Sequence, residues 1–374
     1  MSLEQLDIKR LRNLQQVRLQ PGPRLNVLSG ANGSGKTSLL EAIHLLSLGR
    51  SFRTHRLKAV MQHEAEAFAV HGRIRHDDGM LWSVGFERRR DEDDSRIQLQ
   101  GRRPDSLVEL ARLLPVQVIN PDTFRLLEGG PRERRQFIDW GAFHLDTRFI
   151  HHWQRFQRAL KQRNHLLRHG RMDVLQLRLW EAELATHGEA VDQLRGQLVT
   201  ALRPIFEQLL GALTEITDLK LGYSRGWDKQ TPLAALLEAS RSRDQDQGFT
   251  QSGPQRADLR LTRYGRPAVD MLSRGQQKLV VSALKLAQGQ LLETLVARRC
   301  LYLVDDLPSE LDLHHRALFC EQLKAQAGQV MMTTVETESL RHCLGADDTE
   351  VAWFHVEHGQ ISPAKPFMTG VSNE

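Results

Sequence analysis

Residues 30–37 read Gly-Ala-Asn-Gly-Ser-Gly-Lys-Thr and directly follow the apolar segment RLNVLS. They match the phosphate-binding pattern G-x-x-x-x-G-K-[ST] in full. Glycines let the backbone curl until several N–H groups point at one phosphate, and a helix that begins near Lys36 adds the positive end of its dipole. The residues predicted to bind the phosphates of ATP are Gly30, Ala31, Asn32, Gly33, Ser34, Gly35, Lys36, Thr37 and Ser38.

Two carboxylates complete the predicted chemistry of this site. The apolar run CLYLV ends in Asp305 and Asp306. A buried parallel strand reads as a continuous apolar run, and ligands lie at the carboxyl ends of such strands. We expect Lys36 to reach the β- and γ-phosphates, and Thr37 to ligate Mg²⁺ together with Asp305. Asp306 would then polarise the attacking water, so Lys36, Asp305 and Asp306 are the predicted catalytic residues.

A second segment, LSRGQQK at residues 272–278, has the chemistry of another anion site. A serine hydroxyl, a glycine and a helix start bring together a donor, exposed backbone N–H groups and a dipole. Ser273, Gly275 and Gln276 are therefore predicted nucleotide-binding residues. One nucleotide does not need two such helix starts from one chain, which indicates that they serve different nucleotides in a symmetric pair of subunits.

The remaining pattern predicts an α/β protein with a helical insertion. We expect short strands at residues 3–8, 15–19 and 24–29, a helix after the glycine loop, and a strand meander over 68–99 with a charged hairpin tip at 87–96. Apolar periodicity predicts helices over 149–167 and 184–209, the second kinked or broken at Pro204, and a polar loop at 241–252. The predicted division is 1–122 and 241–374 for the α/β domain, with 123–240 as a helical lobe.

Composition limits the class of protein. The chain has 374 residues, of which 40% are hydrophobic and 26% charged, as in ordinary globular proteins. No apolar run approaches the roughly 18 residues that span a bilayer, and the start lacks the features of a signal peptide. We therefore expect a cytoplasmic protein without membrane partners. The net charge of +5 permits a polyanionic partner.

Several segments resemble known ATPases. LSRGQQK is similar to the signature motif of ABC ATPases, and Ser309-Glu310-Leu311-Asp312 to their D-loop. The order of motifs resembles the split heads of SMC-like proteins. Within that group ANGSGKTSLLEAIHLLSLGRSFRT, GGPRERRQFIDWG, GPQRADL and LYLVDDLPSELD resemble the RecF family, whose likeness extends over almost the whole chain. Gln255 and Pro308 depart from the family pattern.

This resemblance implies further properties. The fold would be an ABC-type P-loop ATPase head with an inserted helical lobe, in which Ser273 and Gly275 contact the γ-phosphate bound to the other subunit. Arg50 or Arg53 would contact nucleotide or DNA. Gln117 would be either the Q-loop residue or an ordinary strand residue. Thr333 or Thr334 stands where other ABC proteins have a switch histidine, which implies slow hydrolysis.

The resemblance also implies partners. It predicts a weak, DNA-stimulated ATPase that dimerises with ATP on double-stranded DNA near single-strand gaps and helps to load RecA with RecO and RecR. Contacts to phosphates would be independent of sequence, because no motif for base edges is present. The candidate contacts are Arg132, Arg134, Arg135, Arg155, Arg158, Lys161 and Arg163.

Two other classes compete with this interpretation. The ATPase subunit of an ABC membrane transporter should have a compact insertion and a switch histidine, whereas this chain has a long helical insertion and Thr333-Thr334. A P-loop kinase has no need for LSRGQQK followed by SELD.

Overall fold

The computed structural model describes residues 1–168, 174–306, 310–345 and 349–364, without the side chain of Ser339. The chain divides into two compact units. Unit 1 comprises Met1–Thr123, Ala212–Thr214 and Ser282–Glu374, and unit 2 comprises Phe124–Gly211 and Glu215–Val281.

The N-terminal part of unit 1 contains the strand predicted to carry the glycine loop. Its elements are β1 Ser2–Leu11, β2 Leu14–Leu19, β3 Leu25–Ser29, α1 Lys36–Leu48, β4 Ala67–Arg75, β5 Leu81–Arg89, β6 Ser95–Leu99, α2 Leu107–Leu113 and β7 Val116–Ile119. An antiparallel sheet has the order β2-β1-β4-β5-β6. The predicted strands, the meander and its charged turn between β5 and β6 coincide with these elements.

Unit 2 is mainly helical. Its elements are α3 Arg125–Glu128, α4 Pro131–Leu145, α5 Phe149–Arg168, α6 Val174–Leu213, β8 Leu219–Ser224, α7 Leu233–Ala239, α8 Arg241–Gln247, β9 Asp258–Arg263, β10 Arg266–Pro267 and the first residues of α9 Arg274–Val296. The antiparallel order is β10-β9-β8. Because β9 pairs with β8, residues 241–281 stay with unit 2, and the return to unit 1 comes later than the predicted position 241.

The structure corrects two local predictions for unit 2. Of the two outcomes expected at Pro204, the break is excluded, because α6 is one continuous helix through this residue. Its buried stripe, which includes Leu202 and Phe206, offsets the hydrogen bond that proline removes. The expected loop at 241–252 begins instead with α8, whose Asp244 is fully buried and accepts a hydrogen bond from Arg163 at 2.7 Å. This helix lacks the apolar periodicity by which a helix is predicted, because its buried residue, Asp244, is half of an ion pair.

The C-terminal part of unit 1 supplies most of the second, mainly parallel sheet of this unit. Its elements are β11 Leu301–Val304, α10 Leu313–Ala325, β12 Val330–Thr334, α11 Thr337–Leu344, β13 Val351–Glu357 and β14 Gln360–Pro363. The sheet has the order β14-β13-β3-β12-β11-β7, with only β14 antiparallel to its neighbour. Strands β3, β12 and β11 are adjacent, so their carboxyl ends meet at one edge.

Helix α1 lies in the core of unit 1. It contacts β1, β4 and β5 of the antiparallel sheet and β12 of the parallel sheet. Leu39, Leu40, Ile43 and Leu45 are fully buried in one apolar cluster with residues of both sheets. This packing holds the start of α1 rigidly against the ends of the parallel strands.

Among the described residues, α9 is a helix long and apolar enough to cross a membrane by length and composition. However, 67% of its apolar window is buried inside the protein. A buried core helix passes the same test, because hydropathy does not distinguish a protein interior from lipid.

Candidate nucleotide-binding site

The glycine loop joins β3 to α1 in unit 1. Gly35 has a φ of 119°, and a Cβ at this position would lie 2.7 Å from Leu14 Cδ2. Both the backbone conformation and the close packing therefore require glycine. The loop is supported from β2's side by Asn13, whose Nδ2 donates to the Gly33 carbonyl at 2.8 Å and whose Oδ1 accepts from Ser38 at 3.2 Å.

Lys36 is the first residue of α1 and is buried. Its Nζ donates to the carbonyls of Gly30 at 2.7 Å and Ala31 at 2.9 Å, so the ammonium group lies over the loop. Burial lowers the pKa of Lys36, and the nearby Asp306 and Asp305 carboxylates oppose this shift. The lysine is thus a cation held where phosphate oxygens would replace the carbonyl oxygens.

Asp305 follows β11, whose residues are all buried. Its Oδ1 accepts hydrogen bonds from the hydroxyls of Thr37 at 2.8 Å and Thr333 at 2.9 Å. Burial raises the pKa of Asp305, and the two threonine hydrogen bonds oppose the increase. A carboxylate and a hydroxyl in contact form a partial set of oxygen ligands that fits Mg²⁺, which takes its other ligands from water and phosphate.

Asp306 has a left-handed backbone with a φ of 52°, which is uncommon for a residue other than glycine. Its backbone N–H donates to the Thr333 hydroxyl at 2.9 Å. Thr333 therefore positions both acidic residues, Asp305 through its side chain and Asp306 through its backbone N–H. The neighbouring Thr334 has a different role, because its hydroxyl bonds Glu336 at the start of the following segment.

A cleft of about 610 Å³ unites most of these groups. It is lined by Arg12, Asn13, Asn32, Gly33, Gly35, Lys36, Thr37, Ser38, Arg53, Pro121, Asp305, Asp306, Glu310 and Thr333. The carbonyls of Gly30 and Ala31 contact Lys36, and the Ser34 side chain is buried. Of the two candidate arginines, Arg53 lines the cleft and Arg50 does not.

Sequence reasoning missed Arg12, Asn13 and Glu41. Glu41 lies on α1, is fully buried, and receives two hydrogen bonds of 2.9 Å from Arg12, plus bonds from Ser51 and Arg53. This network fixes the segment after α1 beside the cleft. The available signal was the Arg-Asn pair in the tight turn between β1 and β2, together with Glu41 as the one acidic residue of α1.

Gln117 lies within β7, is 1% exposed, and does not line the cleft. Its Oε1 accepts a hydrogen bond from Lys285 at 3.0 Å, and its Nε2 donates to Gln288 at 2.9 Å. Of the two alternatives, the structure gives Gln117 the position of a buried strand residue that anchors α9.

Unit 2 contains the second predicted anion site, at the start of α9. The Ser273 N–H donates to Gln276 Oε1 at 3.0 Å, and the Gln276 N–H donates to Ser273 Oγ at 3.3 Å, which is a reciprocal capping box. Ser273 and Gly275 are exposed. A Cβ on Gly275 would meet nothing within 4 Å of the described structure, so internal packing does not require glycine here.

The predicted D-loop is only partly described. Pro308 and Ser309 lie outside the described residues. Glu310 lines the cleft, and Asp312 caps α10 by accepting the His315 N–H at 3.0 Å. The acidic end of this motif therefore begins the next helix.

Some basic residues predicted to touch DNA have internal partners instead. Arg163 is fully buried and bonds Glu181 and Asp244. Arg134 forms a double hydrogen bond with Asp258, and Arg135 donates to the Ala257 carbonyl. The prediction for Arg163 was wrong, since a buried guanidinium cannot reach a phosphate. The candidates that remain exposed are Arg132, Arg155, Arg158 and Lys161.

Comparison with known proteins agrees with this architecture. The chain matches the RecF/RecN/SMC N terminal domain over residues 2–362. It is 51% identical over 361 residues to the DNA replication and repair protein RecF of Chromohalobacter salexigens, covering 96% of this chain and 99% of that protein. Identity to the protein of the same name from Azotobacter vinelandii is 51% over 362 residues, covering 97% and 98%.

Solved structures show the same fold. A structure of the recombination mediator protein RecF with ATP, in the RecFOR pathway, has a TM-score of 0.82 at 24% identity and covers 97% of both chains. An SMC head bound to the C-winged helix domain of ScpA has a TM-score of 0.61 at 14% identity, again covering 97% of both. The fold and the cleft together define a P-loop ATPase head of the ABC type with a helical insert, related to SMC heads. Within that class, the chain belongs to the RecF family.

Proposed function

We propose that this chain is an ATP-dependent DNA-binding protein of recombinational repair, in which two copies dimerise by closing over ATP. The observation that carries the proposal is the exposed start of α9. Ser273, Gly275 and Gln276 form an anion-binding helix start, and Gly275 has no internal reason to be glycine. A glycine in open space permits close approach of a ligand, here the γ-phosphate bound to a second copy.

The cleft supports ATP binding and slow hydrolysis. Residues 30–38 would surround the phosphates, with Lys36 neutralising the β- and γ-oxygens. Thr37 and Asp305 would hold Mg²⁺, which neutralises phosphate charge when bound. Asp306 would polarise the attacking water. Thr333 offers a neutral hydroxyl, already bonded to Asp305, where a switch histidine could act as an acid or base, which favours slow turnover.

The surface beside the cleft supports a second copy as the partner. Leu313 is 70% exposed at the start of α10, directly after the D-loop, and Val335 is 40% exposed directly after Thr334. Apolar side chains in water next to predicted dimer motifs are the groups that an isologous contact would bury. The transporter alternative is not favoured, because the relatives are DNA replication and repair proteins.

DNA and protein partners follow from the family. We propose double-stranded DNA near single-strand gaps as the substrate, and RecO and RecR as the proteins with which the dimer helps to load RecA in the cytoplasm. The net charge of +5 and the exposed Arg132, Arg155, Arg158 and Lys161 support contact with phosphates. Affinity should then fall steeply between low and physiological salt concentrations.

Light scattering coupled to size exclusion tests dimerisation. The wild type should remain a monomer alone and double its mass with ATP and Mg²⁺, and duplex DNA should increase the dimer fraction. Ser273→Arg should bind ATP as a monomer and fail to dimerise, because the long cation blocks the helix start. Ser106→Arg is the matched control, since Ser106 is another exposed serine that precedes a helix.

A Ser273→Arg protein that still dimerises with ATP would contradict the proposed sandwich. A wild type that stays monomeric with saturating ATP, Mg²⁺ and duplex DNA would contradict the proposed function as a whole.

A further inference from the structure

The hairpin between β9 and β10 in unit 2 has an unusual turn. Arg263 pairs with Arg266, leaving Tyr264 and Gly265 as a two-residue loop. Their φ values are 50° and 77°, so both residues have left-handed backbones, as in a type I′ turn. Asparagine, aspartate or glycine normally occupies the first position. A bulky tyrosine there strains the backbone.

Packing does not explain this tyrosine. Tyr264 is 62% exposed and is the only aromatic residue among the exposed large apolar side chains of the described chain. The Arg263 guanidinium lies 5.2 Å from the ring centroid, a cation–π contact on one face of the ring. The Arg263 Nε also donates to the Thr217 carbonyl at 3.3 Å, which holds this guanidinium in place.

The surroundings of the tip are basic. Arg266 is exposed in the hairpin, and Arg260 and Lys220 are exposed on the solvent face of β9 and β8. Within the described residues, none of Arg260, Arg266 and Lys220 has a carboxylate within the 4.0 Å of a salt bridge. Asp258, two residues from Arg260 on β9, is paired with Arg134. The next acidic residues along the chain are Asp218 and Asp270. The net charge of the hairpin therefore attracts an anion.

We propose that the Tyr264 tip is a stacking site for an unpaired base of single-stranded DNA. An aromatic ring combined with arginines is the arrangement that binds single strands without sequence preference, because every base has a π face. Bases inside a duplex are already stacked on their neighbours and cannot offer that face. The site would thus recognise the single-stranded part of a gapped substrate. This inference rests on the proposed function, which supplies DNA as the ligand.

Because the turn is strained, a role of Tyr264 in DNA binding can be distinguished from a role in stabilising the fold. If Tyr264 served the fold, replacing it would lower the melting temperature. Asparagine suits the left-handed position better than tyrosine, so Tyr264→Asn should melt at the same temperature as the wild type or higher. The same variant should lose affinity for unpaired bases.

Fluorescence anisotropy of the full chain with ATP and Mg²⁺ tests the site on two probes of equal length, one fully paired duplex and one with a short single-strand gap. Tyr264→Asn should weaken binding to the gapped probe about tenfold, as expected for one stacked base, and binding to the duplex less than about twofold. Tyr264→Phe keeps the ring and should bind both probes like the wild type. Met80→Ala, which changes an exposed side chain just before β5, is the control.

Three results would overturn the inference. They are equal binding of the gapped probe by Tyr264→Asn and the wild type, an equal loss on both probes, and a loss of ATP-dependent dimerisation in Tyr264→Asn, which would assign the tip to a protein contact. If the wild type binds duplex DNA, any of these outcomes refutes the stacking site alone. If the wild type binds neither probe, the proposed function fails, and the stacking site with it.

Discussion

The starts of α1 and α9 look alike in sequence, since both have glycine and hydroxyl residues at a helix N-terminus, yet they differ in structure. At α1, Gly35 is required by both backbone conformation and packing, and Lys36 and Thr37 already have partners within unit 1. At α9 the serine and glycine are exposed, and nothing within 4 Å restricts a side chain at position 275.

This difference distinguishes a glycine that the fold of the isolated subunit requires from a glycine that gives a ligand room to approach. A glycine in a left-handed and crowded position is needed even in the isolated subunit. A glycine in a helical and open position lowers helix stability and gives the isolated subunit no benefit. The first site is therefore assembled by its own chain, whereas the second makes physical sense only when something else approaches it.

The largest expected effect is on the α1 side. Lys36→Ala should lower ATP affinity about 100-fold, because hydrogen bonds to a charged group contribute about 1.5–3 kcal/mol. Isothermal titration with ATP and Mg²⁺ measures this, with the exposed Lys9→Ala as the control. Unchanged ATP affinity in Lys36→Ala would mean that the cleft is not the nucleotide site, and the comparison of the two helix starts would lose its basis.

A matched pair of glycine substitutions tests the comparison directly. Gly35→Ala should reduce the free energy of unfolding by about 2 kcal/mol or more, because it combines a left-handed backbone with a contact at 2.7 Å. Gly275→Ala should leave it unchanged or raise it by about 0.5 kcal/mol, because alanine favours the helix. Thermal denaturation of both variants measures the difference.

Only Gly275→Ala should weaken dimerisation while preserving the ATP affinity of the monomer. If Gly275→Ala instead destabilised the chain as much as Gly35→Ala, the start of α9 would be a structural element, and its assignment to a second copy would be wrong.

The smallest expected effect concerns Thr333, which bonds the Asp305 carboxylate and the Asp306 backbone N–H. Thr333→Val removes a hydrogen bond to Asp305 and the acceptor for the Asp306 N–H, which should slow ATP hydrolysis about tenfold with little effect on binding. Because the Thr333 hydrogen bond lowers the pKa of Asp305, its loss should raise that pKa further. The acid limb of the pH–rate profile should therefore move to higher pH.

Thr334→Val, at a buried threonine that bonds Glu336, is the control, and its acid limb should not move. Identical pH–rate profiles for wild type and Thr333→Val would show that Asp305 is not the group that titrates in the reaction.

Elements formed by residues that are contiguous in sequence were predicted well. The loop at 30–37, the strand before it and the helix after it form from residues that are neighbours in sequence. The buried strand before Asp305 is recognisable as an apolar run. Family motifs extended this reading to the class of ATPase. The sequence by itself therefore determined the glycine loop, the elements on both sides of it and the fold class, because helix starts, turns and apolar periodicity depend on local residue types.

Tertiary structure decided what depends on partners distant in sequence. Arg163 looked like a surface cation until its partner Asp244, 81 positions away, placed it in a buried ion pair. Asn13 supports the glycine loop from the turn between β1 and β2, and Gln117 anchors α9 rather than lining the cleft. A charged side chain reads the same in sequence whether it is solvated or buried, because its desolvation is compensated only by groups that the fold brings to it.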